Sequence, residues 1–279
     1  MSAKEIRDQG LDKFYTDPNY ALHCIKTINE RYDASNWDLV VEPSAGNGSF
    51  LTHMTYKNID AIDLQPEHHD IVKQNFFTYS PHSNYINILV LGNPPFGKIS
   101  SLAVSFFNHA AQWAQVIAFI VPRTFRRVSV QNKLCLDFHL VHDEDTPCSP
   151  CCFNPPIAAK CCFQIWERNV SPREIIHLPT SHSDWIFLKL GPLDANGQPT
   201  PPENAEFALR AYGGNIGHIV TENLSSLRPK SWHWIKANIN SEVLVYRFRN
   251  LDYSESTNTA RQNSMGRGDL VALYSASYD

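Results

Sequence analysis

The segment LVLGNPPFGK, residues 89–98, is an apolar run that ends in a carboxamide, two prolines and an aromatic ring. A strand that only fills a core needs no such ending. Pro94 and Pro95 remove two backbone donors and fix φ twice, so the strand stops there and the loop that follows is stiff. The loop carries Asn93 and Phe96, a hydrogen-bonding amide beside a flat ring, which suits it to gripping a planar, hydrogen-bonding substrate. Read alone, it can also be a strand-terminating turn with a core phenylalanine.

A second stretch, VVEPSAGNGSF at 40–50, joins a buried strand to an acid at its tip, Glu42, followed by Pro43, Ala45, Gly46 and Gly48. The glycines permit a tight turn and close backbone approach to a ligand ahead of a helix N-terminus. Asp63 follows Gly46 by 17 residues, at the end of the next strand. An acid at about that spacing can accept both hydroxyls of a ribose. The turn by itself is also an ordinary strand-to-helix connection. It is the turn, Asp63 and the NPPF ending in that order that point to a site.

The elements that must hold these residues alternate. DPNYALHCIKTINERY (17–32) opens with Asp17 as N-cap and Pro18 at the first helical position, and Ala21, Leu22, Ile25 and Ile28 share one helical face. WDLVVEP (37–43), IDAID (59–63), INILVLG (86–92) and QVIAFIVP (115–122) read as strands, with a helix expected from Ser49. Continuous apolar strands separated by helical segments predict a mostly parallel α/β sheet covered on both faces. In such sheets ligands lie beyond the carboxyl ends of the strands, where every residue named so far falls. CLDFHLVHDED (135–145) and KCCFQIWER (160–168) read as an antiparallel pair closing the sheet. The expected division is a catalytic domain over 1–170 and a β-rich appendage over 171–279. The Pro- and Gly-rich 191–204 reads as a loop or linker, 207–220, 231–239 and 242–249 as short strands, and 254–268 as a polar tail.

The chain has 279 residues, 43% of them hydrophobic, enough for one large domain with a small appendage. No apolar run approaches the ~20 residues of a membrane span, and the first ten residues have no apolar signal core. Seven cysteines is an odd number, and with no signal segment the expectation is a reduced, cytoplasmic protein. A net charge of −4 does not advertise a nucleic-acid binder, so any such surface must be a local patch.

Taken in order, FYTDP (14–18), EPSAGNGSF (42–50), IDAIDLQP (59–66), NPPFG (93–97), AFIVPRTFRR (118–127) and FQIWER (163–168) resemble the motifs of the class I S-adenosylmethionine-dependent methyltransferases that modify adenine N6 in DNA, in the γ-type order. The later WIFLK, RAYGGNIG and SWHWIK are similar to segments of bacterial and phage members. The resemblance implies a Rossmann-like sheet of seven strands, mostly parallel with an antiparallel closing strand. It implies S-adenosyl-L-methionine as cofactor. Tyr15 and Thr16 would hold its methionine end, Glu42, Pro43, Ala45, Gly46 and Gly48 its cradle, Asp63 its ribose and Leu64 its adenine. The family has an Asp-Phe pair after the third strand whose acid reads the cofactor adenine; here Asn75 and Phe76 stand there, and the amide carries no charge and can also donate.

The resemblance also gives the NPPF loop its chemistry. Adenine N6 is a poor nucleophile because its lone pair is delocalised into the ring. The Asn93 side-chain oxygen and the Pro94 carbonyl would accept from both N–H bonds at ~3 Å and aim the lone pair. Pro95 stiffens the loop, and Phe96 would stack on a base flipped out of the duplex. Arg123, Arg126, Arg127 and Lys133 are either a solvated helix face or a phosphate-contacting patch. Phe153 is a weak candidate near the flipped base, and the second NPP, at Asn154, reads as loop. The cysteines of 148–162 begin with a C-x-x-C but lack a clean second pair, so no metal is expected. DNA is the expected partner on the resemblance alone. RNA is the alternative, a protein glutamine amide or a catalytically inactive binding subunit the remoter ones, and a cognate restriction nuclease would be a separate chain. Target sequence and oligomeric state, monomer or homodimer, are left open.

Overall fold

The computed structural model describes residues 14–279. They fall into two compact units, one running to Ile175 and the other from Ile176 to Asp279.

The first unit opens with a two-residue strand, β1 (Tyr15–Thr16), and the helix α1 (Pro18–Arg31). The Asp17 carboxylate accepts from the backbone of Asn19 and Tyr20, and Pro18 costs nothing in the first turn, where its missing N–H would have no partner. The buried stripe of α1 is Tyr20, Ala21, Cys24, Ile25 and Ile28; Leu22 is only half-buried.

Seven strands form the main sheet: β2 (Leu39–Glu42), β3 (Ile59–Asp63), β4 (Val72–Lys73), β5 (Ile88–Gly92), β6 (Val116–Pro122), β7 (Phe138–Asp145) and β9 (Cys161–Arg168). Their order is β4-β3-β2-β5-β6-β9-β7. The first five are mutually parallel, and β9 runs antiparallel between β6 and β7. This is the Rossmann-like sheet of seven strands, mostly parallel with an antiparallel closing strand, that the sequence predicts. Its continuous apolar strands have a direct cause, because alternate residues enter different cores. Leu39 and Val41 of β2, Ile88 and Val90 of β5, and Ile117, Phe119 and Val121 of β6 pack on one face with Phe106 and Phe107 of α2 (Ser101–Ala110). Val40, Leu89, Leu91, Val116, Ala118 and Ile120 pack on the other with α1. A strand buried on both faces cannot alternate apolar with polar.

Two expectations are corrected here. No α-helix starts at Ser49. The Asn47 side chain accepts from both the backbone and the hydroxyl of Ser49, and Gly48 sits at φ +83°, so the chain turns and forms only a short 3-10 segment, Leu51–His53. Such side-chain-to-backbone bonds compete with helix formation. Asn154 is not in a loop: Phe153–Asn154 is a short strand, β8, pairing antiparallel with β1.

The second unit is a four-stranded antiparallel sheet, β10 (Trp185–Phe187), β13 (Trp232–Ala237), β11 (Phe207–Arg210) and β12 (Ile219–Val220) in that spatial order. Two helices, α4 (Ser241–Arg249) and α5 (Arg267–Tyr278), add Leu244, Phe248, Leu270, Val271 and Tyr274 to the core formed by Trp185, Phe207, Leu209 and Ile235. A short helical turn, α3 (Val128–Gln131), precedes β7 in the first unit. The second unit is thus the small antiparallel sheet expected of the appendage, with two helices that the sequence reading did not include. Residues 242–249 are helical although rich in β-formers, because Asn240 caps the backbone of Glu242 and Val243, and Leu244 and Phe248 reach the core only at helical spacing. The polar 254–268 is not a loose tail: Tyr212 bridges Ser264, Met265 is buried, and Gly266 begins α5. Among the described residues, no helix is long and apolar enough to cross a membrane.

Candidate active site

At the carboxyl ends of β2, β3, β4 and β5 lies a cavity of about 370 Å³, in the range of small-molecule sites. Three backbone features shape it. Gly46 has φ +54°, and a Cβ there would lie 2.8 Å from the Tyr15 ring, so the turn closes only on glycine. Asp63 accepts from the backbone N–H of Gly46 (2.9 Å) and of Gln65 (2.7 Å), which ties the acid loop to the glycine loop. The Glu67 backbone N–H donates to the Gly46 carbonyl, and the Tyr15 hydroxyl donates to the Glu67 carboxylate at 2.5 Å.

Two buried polar groups in the cavity wall are left short of partners. Glu42 is 2% exposed, and one of its carboxylate oxygens, Oε2, has no hydrogen-bond partner among the described residues. Its burial, reinforced by the negative charge of Asp63, holds the carboxyl well above the usual carboxylate range, against a backbone donor at Leu51. Thr16 is 3% exposed, and its hydroxyl also lacks a partner among the described residues. Buried groups of this kind cost free energy unless something satisfies them.

Asn93, at the end of β5, borders the same cavity. Its Nδ2 donates to the Phe14 carbonyl at 2.9 Å, and its own carbonyl accepts from the Ser44 hydroxyl at 3.1 Å. The amide orientation is thereby set: nitrogen is spent on the protein and Oδ1 is the open acceptor. Phe14 stands beside β1, whose pairing with β8 holds it in place.

Of the residues singled out from sequence, Tyr15, Thr16, Glu42, Pro43, Ala45, Gly46, Asp63, Leu64, Asn75, Phe76, Asn93 and Pro95 line one cavity. Others do not. Gly48 packs against His68, Pro94 is buried, and Phe96 lies partly buried at the edge of the core under α1. Phe153 is 4% exposed in that core. Arg126 makes a two-pronged pair with Asp143 and a further one with Asp145, and Arg123 pairs with Asp145 at 2.8 Å. Arg123, Arg126 and Arg127 are all absent from the cavity lining. The Asn75 oxygen accepts from the Phe77 backbone at 3.0 Å. Phe14, Ser44, Asn47, Ser49, Phe50, Gln65 and Gly97 also line the cavity; they fall inside the sequence motifs but were given no role there, whereas Gln74, Phe77, Leu102 and Phe106 complete the walls from outside any motif. Among the described residues, the cysteines of 148–162 form no metal-ligating group of three, and burial pushes the Cys152 thiol up to about 12.

No family model matches the chain. No curated protein matches it either. Its fold is similar to that of 23S rRNA methyltransferase ErmE (14% identity, covering 57% of this chain and 71% of that one, TM-score 0.41). It is also similar to N-methyltransferase NodS from Bradyrhizobium japonicum (10% identity, 54% and 95% covered, TM-score 0.38). A third likeness is to magnesium protoporphyrin IX methyltransferase from Synechocystis with bound S-adenosylmethionine (10% identity, 55% and 79% covered, TM-score 0.39).

The residues of the cavity fit S-adenosyl-L-methionine on their own chemistry. The buried, unpartnered Glu42 oxygen suits the ammonium of the methionine part, and the idle Thr16 hydroxyl can donate to its carboxylate. Each Asp63 oxygen accepts one backbone N–H and keeps a lone pair for a ribose hydroxyl. The exposed Leu64 and Phe77 side chains offer apolar faces to a purine.

Proposed function

We propose that the chain transfers a methyl group from S-adenosyl-L-methionine to the N6 amino group of adenine in DNA, with the base flipped out of the duplex. The observation that carries this reading is the Asn93 amide. Its nitrogen donates to the Phe14 carbonyl, so its oxygen is left as an acceptor, and an aromatic amine can supply the donor.

The cofactor, when bound, supplies an electrophilic methyl on a sulfonium. The protein has to place an amine in line with it and localise the amine's lone pair. Asn93 Oδ1 accepts one N–H bond, and the resemblance assigns the other to the carbonyl of Pro94, which is buried next to Asn93 and outside the cavity lining. Pro94 and Pro95 keep both acceptors still, so the geometry is set before the substrate arrives. Well-oriented placement of this kind contributes roughly 7–11 kcal/mol to a transfer. The amine's surplus proton leaves after the methyl has moved, and no side chain need form a covalent bond.

DNA, rather than RNA or a protein amide, rests on the order of the motifs. The ion pairs of Arg123 and Arg126 with Asp143 and Asp145 take two of the expected phosphate contacts out of the account. The testing experiment offers labelled S-adenosylmethionine with duplex DNA, single-stranded DNA and RNA in parallel, followed by nucleoside analysis. N6-methyladenine in DNA is the expected product. Label confined to RNA would keep the chemistry and overturn the substrate. Label in no nucleic acid would overturn both.

A further inference from the structure

The loop that follows the NPPF segment is held in a conformation its sequence does not favour. Ile99 lies at φ 53°, ψ 40° and Ser100 at φ 60°, ψ 14°. A left-handed backbone is costly for any residue with a Cβ and is an outlier for a β-branched one. Ile99 gains nothing from burial in return, because it is 82% exposed.

The conformation is imposed from both sides. Gly97 has φ +66°, and a Cβ there would stand 2.7 Å from Leu102 Cβ. Ser100 is 3% exposed, and its hydroxyl meets that of Thr124 at 2.6 Å, in the 3-10 turn Arg123–Arg126 after β6. Gly97 and Leu102 both line the cavity that Asn93 borders. The fold thus clamps an apolar side chain into solvent, six residues after the amide that receives the amine. Strain that the surrounding structure over-determines is concentrated at functional positions.

We infer that Ile99 is an apolar wedge that enters a nucleic-acid duplex and occupies the gap left in the stack when the target base is taken out. The inference rests on the reading of the chain as an adenine methyltransferase acting on DNA. A duplex that loses a base from its stack exposes two flat apolar faces, and proteins that deform duplexes insert Ile, Leu, Phe or Met at such steps. An exposed isoleucine fixed beside the acceptor amide has the right polarity and placement. Lys98, its exposed neighbour, brings a positive charge to the same loop, as a contact to the duplex backbone requires. A single strand has no stack to hold open, so the wedge has no part in its methylation.

The test compares wild type, Ile99→Gly and Ile99→Leu as full chains. The substrates are unmethylated genomic DNA, native and heat-denatured, with labelled methyl transfer as readout. Glycine adopts the left-handed backbone freely, so Ile99→Gly folds at least as well as wild type, which thermal melting checks. Ile99→Gly is expected to lower kcat/KM on native DNA roughly tenfold, the scale of losing one buried aliphatic side chain. On denatured DNA its kcat/KM stays within about twofold of wild type, and Ile99→Leu keeps most of the native-DNA activity. An equal loss on both substrates, or no loss on native DNA, would overturn the wedge and leave the methyltransferase reading standing. Failure of the wild type to label either form of DNA would overturn that reading and the wedge with it.

Discussion

Glu42, at the tip of β2, and Asp184, just before β10, are both carboxylates withdrawn from water, and the chain surrounds them differently. One oxygen of Asp184 accepts from the Tyr274 hydroxyl at 2.6 Å and from Arg247 at 2.9 Å, and Arg247 also donates to the Tyr274 oxygen. That closed set joins α4 and α5 to the edge of the second sheet. The charge that acts on Glu42 is the negative one of Asp63, and one of its oxygens has no partner among the described residues. The backbone shows the same contrast. In the second unit the non-glycine residues with positive φ are Asn215 and Asn223, a type that tolerates the left-handed region. Among the described residues of the first unit they are Ile99 and Ser100, beside the cavity. Asp184 is satisfied within the scaffold that it helps to build. Glu42 and Thr16, at the cavity, are left short of partners among the described residues, at a cost in stability, and a ligand that arrives from outside can satisfy them.

The comparison can be broken at several points. Asn93→Ala should lower turnover about a thousandfold, or ~4 kcal/mol, the scale of removing a group aimed at the reacting centre. Because Oδ1 faces the amine rather than the cofactor, the affinity for S-adenosylmethionine should stay within about threefold. Near-normal turnover in this variant would remove Asn93 from the chemistry. Asp184→Ala should lower the melting temperature of the second unit, read by thermal unfolding, because it takes the acceptor from the Tyr274 hydroxyl and one of two from Arg247.

Glu42→Gln should act in two directions. Cofactor affinity should fall by ~2 kcal/mol as a charged hydrogen bond is lost. The ligand-free protein should melt higher, since a buried carboxylate has been removed. The sign follows from the raised carboxyl. A group whose folded value lies above its unfolded one stabilises the protein below the unfolded value and loses that contribution as pH rises. The glutamine variant should therefore flatten the stability profile above pH ~4.5. If Glu42→Gln and Asp184→Ala both lowered the melting temperature of the ligand-free protein, the contrast between them would be wrong.

The smallest effect belongs to His233 on β13. Burial pushes its imidazole down to about 4, while its Nε2 is bonded to the Met265 carbonyl. A depressed histidine stabilises the fold above its unfolded value near 6.5, and the contribution is lost as pH falls from there towards 4. Between pH 7 and pH 6 the second unit should lose roughly 0.5–1 kcal/mol, and His233→Gln should abolish that slope in denaturant melts.

What could be read from sequence followed from strong local constraints. Doubly buried strands announced the sheet, and glycines that admit no side chain, with acids at fixed spacing, announced much of the cavity wall. The rest depended on contacts distant in the chain. The Phe14 carbonyl that orients Asn93 is a backbone group with no sequence signature. The arginines after β6 looked like a phosphate patch because their partners, Asp143 and Asp145, sit on a strand whose register was not visible. Phe153 went to the core because its strand pairs with Thr16. Residues 242–249 carry strand-forming types and became a helix because a cap and two core contacts outweigh propensity.

The central claim is that the cavity at the ends of β2 to β5 takes S-adenosyl-L-methionine through Glu42, Thr16 and Asp63. Its most direct test is a calorimetric titration of the cofactor into wild type and Asp63→Ala. A single saturable site in the wild type, displaced by S-adenosylhomocysteine and weakened at least tenfold in the variant, is the predicted result. Absence of binding to the wild type, or equal binding by the two proteins, would contradict the account.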